Sequence, residues 1–261
     1  MKNFLMCVAI AAPIFAQDHI AVPLTDPGRP VTLSIHLLRG SITVRGYSGR
    51  ELLVDTKGAT ETRTESTHEG MHRISGSGTD VTIESENNKV SISSHGMRSN
   101  ELVVQTPVNT SLNVKTLNGG QILIEGVTGD IEAQDLNGAV TIRNVSGSVV
   151  AHSLNGAVTV AMSNVKSGSP MSFSSLNGTI DVTLPPSVAA DFSMKTNRGE
   201  IYSDFDVKLK PSAKPVVEES DAKKGKFKVK TDGAVVGSVN GGGPEFKFTT
   251  LNGNIYIRKT K

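Results

Sequence analysis

The apolar residues of this chain follow a nine-residue repeat, and that spacing constrains the fold more than any other feature. From residue 122 to residue 160 the gaps between apolar residues are two, three and four, and a glycine follows the third apolar position by two. Two apolar residues spaced by two face the same side of a short strand. The third follows an odd gap, so it can face that side only if the chain turns. Each nonad is therefore predicted to be one strand and one corner.

Two corner signatures alternate along the chain. Leu-Asn-Gly recurs, and Val127-Thr128-Gly129 and Val145-Ser146-Gly147 lie between its copies, so the larger repeating unit spans about 18 residues. Glycine, and asparagine before it, tolerate the positive φ of a tight corner. We therefore assign these asparagines to corners rather than to a ligand-binding ladder: Asn118, Asn137, Asn155, Asn177 and Asn252.

Two all-β architectures fit this pattern. In a β-solenoid-like stack of two-strand, 18-residue coils, like positions pair in parallel, and the corner Leu and Val residues stack inward. In an antiparallel β meander or barrel, the same corners become hairpin loops. We favour the solenoid because stacking explains why the third position stays apolar, and the meander remains open.

The N-terminal segment has the pattern of a secretory signal. Lys2 precedes an apolar run over residues 4–10, and small residues follow up to Ala16. We predict a signal peptide over residues 1–16. The one cysteine, Cys7, lies inside it, so a mature chain would have neither disulfides nor thiolate metal sites.

The remaining sequence divides by regularity. We predict an irregular β region or cap over residues 17–110 and a nonapeptide-repeat β domain over residues 111–261, with a solvated insertion at 206–226. The insertion ends near a basic cluster, which we interpret as the charged face of a strand; the alternative is attraction to an acidic glycan or an anionic membrane surface. The cluster consists of Lys223, Lys224, Lys226, Lys228 and Lys230.

Composition argues against several partners. The net charge is +2, tryptophan is absent and aromatic residues make up 4% of the chain, so nucleic acid is not expected as a partner. No apolar stretch of the mature chain is long enough to be a transmembrane span.

One catalytic motif matches by letter. His68-Glu69-Gly70-Met71-His72 has the H-E-x-x-H spacing, which binds zinc when the two histidines lie one helical turn apart. The flanking residues are rich in Thr, Ser and Gly, so we predict a polar loop, with a small metal-binding role for His68 and His72 as an alternative. No other histidine has a recurrent carboxylate partner, and the acids Asp130, Asp135 and Asp181 are dispersed. We predict no catalytic, cofactor-binding or metal site.

Residues 102–201 and the closing segment 241–257 resemble the bacterial DUF4097 family of adhesin-like β-repeat proteins. Both segments carry the Gly-x-Ile-x-Ile/Val unit typical of that family, and the closing copy follows Gly241-Gly242-Gly243-Pro244. The resemblance implies a solenoid-like surface domain. The chain differs from the family in having Leu-Asn-Gly where many members have Ser-Gly-Asp.

These observations favour a non-enzymatic exported protein, located in the periplasm, at the cell surface or outside the cell. We expect it to be an adhesin or a cell-envelope scaffolding module that binds a protein or an envelope polymer through flat outer faces. The alternative is an envelope polysaccharide-active enzyme with its site on one solenoid face. The outward residues expected to carry binding are Gln121, Glu125, Glu132, Gln134, Thr141 and Arg143.

Overall fold

The computed structural model describes residues 20–58, 81–94, 100–211, 216–221, 226–230 and 233–261. Every regular element in these residues is a β-strand, as the repeat predicts. The predicted signal peptide, the H-E-x-x-H segment, His19 and His95 lie outside the described residues. No helix in the described ranges is long and apolar enough to cross a membrane.

The first eleven strands in chain order are β1 (Ile20–Pro23), β2 (Val31–Tyr47), β3 (Glu51–Gly58), β4 (Val81–Glu86), β5 (Lys89–Ser94), β6 (Asn100–Pro107), β7 (Thr110–Asn118), β8 (Ile122–Glu125), β9 (Ile131–Asp135), β10 (Val140–Gly147) and β11 (Val149–Ser153). The others are β12 (Val158–Val165), β13 (Met171–Ser175), β14 (Ile180–Leu184), β15 (Ala190–Arg198), β16 (Ile201–Ser203), β17 (Lys208–Leu209), β18 (Val216–Asp221), β19 (Lys226–Lys230), β20 (Val235–Val239), β21 (Glu245–Asn252) and β22 (Ile255–Lys259).

The strands stack into two layers with a common core. Sheet A runs in the order β1, β3, β6, β2, β8, β10, β12, β14, β22, β16. Sheet B runs in the order β4, β5, β2, β7, β9, β11, β13, β21, β15, β20, β17. The long strand β2 passes through both.

Pairing within the stack is parallel. Val140 pairs with Ile122 on one side and with Val158 on the other, so residues 18 apart in the sequence are neighbours. Antiparallel pairs in sheets A and B occur only toward the ends of the stack, where β1, β3 and β4 cover one end and β20 and β17 cover the other. The predicted solenoid is confirmed. These antiparallel strands protect stack ends that would otherwise pair with other chains.

The order of the coils differs from the order of the sequence at both ends. The coil β21–β22 lies between β13–β14 and β15–β16, because β21 pairs in parallel with β13 and β15, and β22 with β14 and β16. Likewise β2 lies between β5–β6 and β7–β8. The stack is therefore continuous on both sides of residue 110. In its C-terminal half, residues 245–259 form the coil that joins β13–β14 to β15–β16.

Strict alternation of buried and partly exposed residues produces the core. The strand Ile131–Asp135 alternates in this way, and so do its neighbours in the stack. Aliphatic residues fill the central coils, and phenylalanines fill the C-terminal ones: Phe173 stacks on Phe248 at 5.2 Å between ring centres, and Phe192 packs edge-on against Phe248 at 5.5 Å.

At the Val-x-Gly corners the predicted inward valine is correct, but of the two corner glycines only Gly147 has a positive φ. Val127 and Val145 are fully buried. The residue before each valine is left-handed, Gly126 at φ 73° and Asn144 at φ 53°. At Asn144 the register between β10 and β12 shifts, as in a β-bulge. One such residue resets the alternation, so the following valine returns to the core.

At the Leu-Asn-Gly corners the predicted inward leucine is wrong. Leu117 is 48% exposed, and Leu136 is 38% exposed. The strand does not turn before these leucines, so alternation continues and the inward position belongs to the preceding residue. That residue is always small or polar, and it is buried: Thr116, Asp135, Ser153, Ser175 and Thr250.

The predicted role of the Leu-Asn-Gly glycines is also wrong at four of five corners. Of these glycines only Gly119 has a positive φ, 71°. At Gly156 a Cβ would lie 2.2 Å from the carbonyl oxygen of Gly138 in the preceding coil. These glycines are needed because two backbones approach too closely for any side chain.

The predicted insertion at 206–226 contains the short strand β17 and the strand β18, which forms an antiparallel hairpin with β19. Lys226, Lys228 and Lys230 occupy alternate positions of β19, and Lys223 and Lys224 lie outside the described residues.

Candidate functional site

A buried hydroxyl column runs along the inner side of the Leu-Asn-Gly corner. Ser153 Oγ donates to the carbonyl of Gly138 at 2.8 Å, and Ser175 Oγ donates to the carbonyl of Gly156 at 2.9 Å. Thr250 Oγ1 makes the same bond to Gly178 at 3.0 Å. Each of these three coils thus satisfies a corner carbonyl of its neighbour, and the column holds the corners in register.

Asp135 is the exception in this column. Its Oδ1 accepts the backbone N–H of Asn137 at 3.0 Å, but its buried Oδ2 has no hydrogen-bond partner. A Cβ placed on Gly138 would lie 2.5 Å from that Oδ2 and 1.8 Å from the carbonyl oxygen of Gly120, so the two acceptor oxygens are close neighbours. Burial raises the pKa of Asp135 to about 6, and the nearby backbone N–H groups of Asn137 and Gly138 oppose the rise.

The five corner asparagines form a hydrogen-bonded ladder on the outside. Asn155 Nδ2 donates to Asn137 Oδ1 at 2.8 Å, and Asn177 Nδ2 donates to Asn155 Oδ1 at 2.8 Å. The same bond links Asn137 to Asn118 at 3.0 Å and Asn252 to Asn177 at 2.7 Å. The asparagines bond to one another, which supports the predicted structural role over a ligand-binding one.

Beside the asparagine ladder lies an exposed row of leucines, which we call the leucine ridge. It runs through consecutive coils at the carboxyl end of the sheet B strands, and its members repeat about every 4.8 Å. Four of its six members are between 38% and 48% exposed, and the other two are partly exposed. The ridge consists of Leu38, Leu117, Leu136, Leu154, Leu176 and Leu251. A cavity of about 450 Å³ lies at its Leu38 end, lined also by His36 and Lys115.

The outer face of sheet B is a flat surface of mostly polar side chains in two columns. The first column holds Ser91, Ser34, Asn113, Glu132, Val150, Ser172, Lys247 and Ser193. The second lies between the first and the leucine ridge, and it holds Ser93, His36, Lys115, Gln134, His152, Ser174, Thr249 and Lys195.

The six residues expected to carry binding divide between the two outer faces. Glu132 and Gln134 lie on sheet B, where Gln134 Nε2 donates to Glu132 at 2.7 Å and Lys115 pairs with Glu132 at 3.3 Å. The other four, Gln121, Glu125, Thr141 and Arg143, belong to the sheet A side. There Glu125 is paired with Arg45 at 3.4 Å. The structure therefore does not bring the six together as one site.

Sheet A carries an aromatic cluster near its C-terminal end. The rings of Tyr202 and Tyr256 stack at 5.2 Å between centres, and the guanidinium of Arg258 lies 5.1 Å from the centre of the Tyr256 ring. Arg258 also bonds the carboxylate of Asp181 at 2.8 Å. The hydrogen bond from the Tyr202 hydroxyl to Glu200 raises the pKa of Tyr202.

Among the residues that the structure describes, the titratable side chains do not assemble into a recognisable catalytic or metal centre. Asp130 accepts hydrogen bonds from Ser148 at 2.7 Å and from Lys166 at 3.1 Å, and both bonds lower the pKa of Asp130. Within the described ranges, no three His, Cys, Asp or Glu side chains come together as metal ligands.

One serine–histidine pair does form on the sheet B face. His152 Nδ1 lies 2.8 Å from Ser174 Oγ, and the neighbour of His152 on its other side is Gln134. A nucleophilic serine needs a group that orients its histidine and free N–H donors for an oxyanion. Here the side chain next to His152 is the amide of Gln134. The backbone N–H groups of β9, β11 and β13 are engaged in the hydrogen bonds of the parallel sheet. The pair is a surface hydrogen bond between stacked coils.

Sequence reasoning missed the leucine ridge and the hydroxyl column. The signal was available, because a small or polar residue precedes every Leu-Asn-Gly: Thr116, Asp135, Ser153, Ser175 and Thr250. Read with simple alternation, that residue is the inward one and the leucine the outward one.

Comparison with known proteins finds distant similarity to two solved structures. No protein-family model matches the chain, and no curated protein matches its sequence. A "putative cell adhesion protein" from Clostridium sporogenes is 12% identical with a TM-score of 0.44, and the match covers 93% of this chain and 100% of that one. A "putative adhesin" from Bacteroides fragilis is 13% identical with a TM-score of 0.40 and coverages of 93% and 96%. At these values the likeness carries no argument about function.

Proposed function

We propose that this chain is a non-enzymatic, exported binding module of the cell envelope, with an adhesin-like role, and that it binds an extended partner through the outer face of sheet B. The observation that carries the proposal is the pair of polar columns beside the leucine ridge. Hydroxyl, amide and imidazole groups there repeat in register from coil to coil.

A periodic flat face suits a polymer better than a small molecule. Small-molecule sites are concave and bury most of their ligand, whereas this face offers one or two polar groups per coil along the whole stack. Each contact with a partner would be weak. A repeating partner would engage many coils at once, and linked contacts raise the overall affinity well above that of any single one.

The partner is best sought among neutral or weakly charged envelope polymers. Apart from the Lys115–Glu132 ion pair, the central part of the sheet B face carries neutral polar side chains such as Ser34, Asn113 and Gln134. Hydrogen bonding rather than net charge would then provide the affinity. Binding should therefore persist when salt is raised, because salt screens exposed charges far more than it weakens neutral hydrogen bonds.

The test is retention of the mature protein by cell-wall, glycan and envelope fractions. We compare wild type with a sheet B variant, Gln134→Arg with Ser174→Arg, and with a matched sheet A variant, Thr141→Arg with Thr159→Arg. All four positions are partly exposed on central strands, so both variants add the same charge to the same stack.

Retention of wild type and of the sheet A variant, with loss in the sheet B variant, is the expected result. Equal retention of all three proteins would place binding elsewhere. If no fraction retained wild type, the binding function itself would be refuted.

No observation favours the polysaccharide-active enzyme. Glycoside hydrolysis by the common route uses two carboxylates several ångströms apart across the scissile bond. Asp130 and Asp181, two of the acids considered for this role, are bonded to Lys166 and Arg258 respectively. The check is to incubate wild type and a Ser174→Ala variant with envelope polysaccharide and to measure the product released. Equal release by the two proteins would exclude a role for the serine–histidine pair.

A further inference from the structure

The leucine ridge is an unusual feature for the surface of a stable stack. Its six leucines extend over about 24 Å at about 4.8 Å per coil, and the neighbouring asparagine ladder adds no charge. Scattered exposed leucines need no explanation, but a contiguous apolar row on a soluble surface marks a contact site. The internal asparagine and hydroxyl bonds already hold the coils together, so outward leucines are not required for register.

The charged side chains in the two columns that directly flank the ridge are basic, and one of them, Lys115, is paired with Glu132 of the next column. Two arginines extend the row of stacked asparagines at its ends. Arg39 pairs with Asn118 at one end, Arg198 pairs with Asn252 at the other, and both arginines are exposed. The polar column on the other flank contains Lys115 and no carboxylate among its described members. Of the acidic residues, Glu200 is the closest in sequence to either of these two arginines, two residues from Arg198.

We propose that the leucine ridge docks on an anionic lipid surface, with the leucines entering the interface and Arg39 and Arg198 contacting acidic headgroups. Apolar residues that enter the interface next to basic residues that meet anionic lipids are the combination by which peripheral proteins bind membranes reversibly. The proposal stands apart from the sheet B proposal, because it uses different side chains and a different partner.

Shape and size favour a membrane over a second copy of the chain. Apart from the cavity at its Leu38 end, the ridge is one leucine wide and lies at the corner where each coil leaves sheet B, so it presents an edge rather than a groove. A stable dimer needs about 800 Å² of buried surface per partner, which a single row of half-exposed leucines does not supply. A bilayer surface needs no complementary shape.

The experiment is co-sedimentation of the mature chain, beginning at Gln17, with vesicles of pure phosphatidylcholine or of equimolar phosphatidylcholine and phosphatidylglycerol. Starting at Gln17 removes the apolar segment 1–16, which would itself bind lipid. The ridge variant is Leu136→Ser with Leu154→Ser and Leu176→Ser. The control is Leu123→Ser with Val150→Ser, which removes outward apolar side chains from the two flat faces.

Wild type and the control are expected to bind the anionic vesicles, and the ridge variant to bind about tenfold more weakly, since each leucine contributes apolar area. Arg39→Gln with Arg198→Gln should weaken binding to anionic vesicles severalfold and leave the weak binding to neutral vesicles unchanged. Circular dichroism and the thermal midpoint confirm that each variant is folded. If the triple variant were unfolded, Leu136→Ser alone and the arginine pair would carry the test.

Three outcomes would overturn the proposal. Wild type could fail to bind either vesicle. The ridge variant could bind as well as wild type. Or wild type could elute as a dimer that Leu136→Ser converts to a monomer without any vesicle binding, which would assign the ridge to self-association.

Discussion

Replacing Asp135 with asparagine should stabilise the protein at neutral pH. Asparagine has the same shape as aspartate; its Oδ1 can still accept the N–H of Asn137, and its Nδ2 can donate to the carbonyl of Gly120, next to the orphaned Oδ2. The substitution completes the hydrogen bond that serine or threonine makes in the other coils. It removes a buried charge at the same time.

The magnitude follows from the raised pKa. The pKa of Asp135 rises from 3.8 to about 6, and a shift of one pKa unit corresponds to about 1.4 kcal/mol. The full shift would give about 3 kcal/mol; because the carboxyl lies one residue from the exposed corner, where solvent screens it, we expect about 2 kcal/mol. A raised pKa means that the native state binds the proton more tightly. The contribution of Asp135 to stability is therefore fully present below pH 3.8 and is lost as pH rises through about 6.

The assay is urea unfolding followed by circular dichroism, for wild type and Asp135→Asn, at several pH values from about 4 to about 8. The variant should be more stable by about 2 kcal/mol above the pKa of Asp135, and the difference should shrink as pH falls toward 4. Asp135→Ser introduces the residue that β11 and β13 have at this position, and it should show the same trend with a smaller gain. A gap that does not change with pH, or a variant less stable than wild type at neutral pH, would refute the reasoning.

Three further substitutions test the architecture. Gly156→Ala should destabilise by about 2 kcal/mol or more, because its Cβ meets a backbone carbonyl at 2.2 Å, whereas Gly233→Ala, with open space around it, should be neutral in urea unfolding. Phe173→Ala should cost about 3–5 kcal/mol in the same assay, since it empties a fully buried aromatic position. Deleting residues 245–261 should abolish hydrogen-exchange protection in residues 190–203, which pair with that coil, while the central coils stay protected. Protection that survives in 190–203 would contradict the observed coil order.

The exposure of the leucine ridge could have been predicted from the sequence, although the apolar repeat assigned its leucines to the core. The repeat of apolar residues placed Leu136 and Val145 in equivalent third positions, yet the structure buries the valine and exposes the leucine. A left-handed residue before Val145 resets alternation, and none precedes Leu136. Apolar character alone does not separate these two cases, because leucine is tolerated outside when its neighbours in the stack are leucines. The polar residue before each leucine was the sign that the periodicity had been assigned one position too late.

By itself, the sequence determined that the chain is all-β, that its unit is about 18 residues, and that its corners alternate in kind. Those properties are local: alternation, a two-residue apolar spacing and corner residues act within a single coil. Tertiary structure alone decided the order of the coils, in which residues 245–259 pass between 171–184 and 190–203. Every coil presents nearly the same apolar edge, so local pattern cannot rank the possible neighbours. The same holds for Asp135, because the burial that raises its pKa exists only once neighbouring coils stack on it.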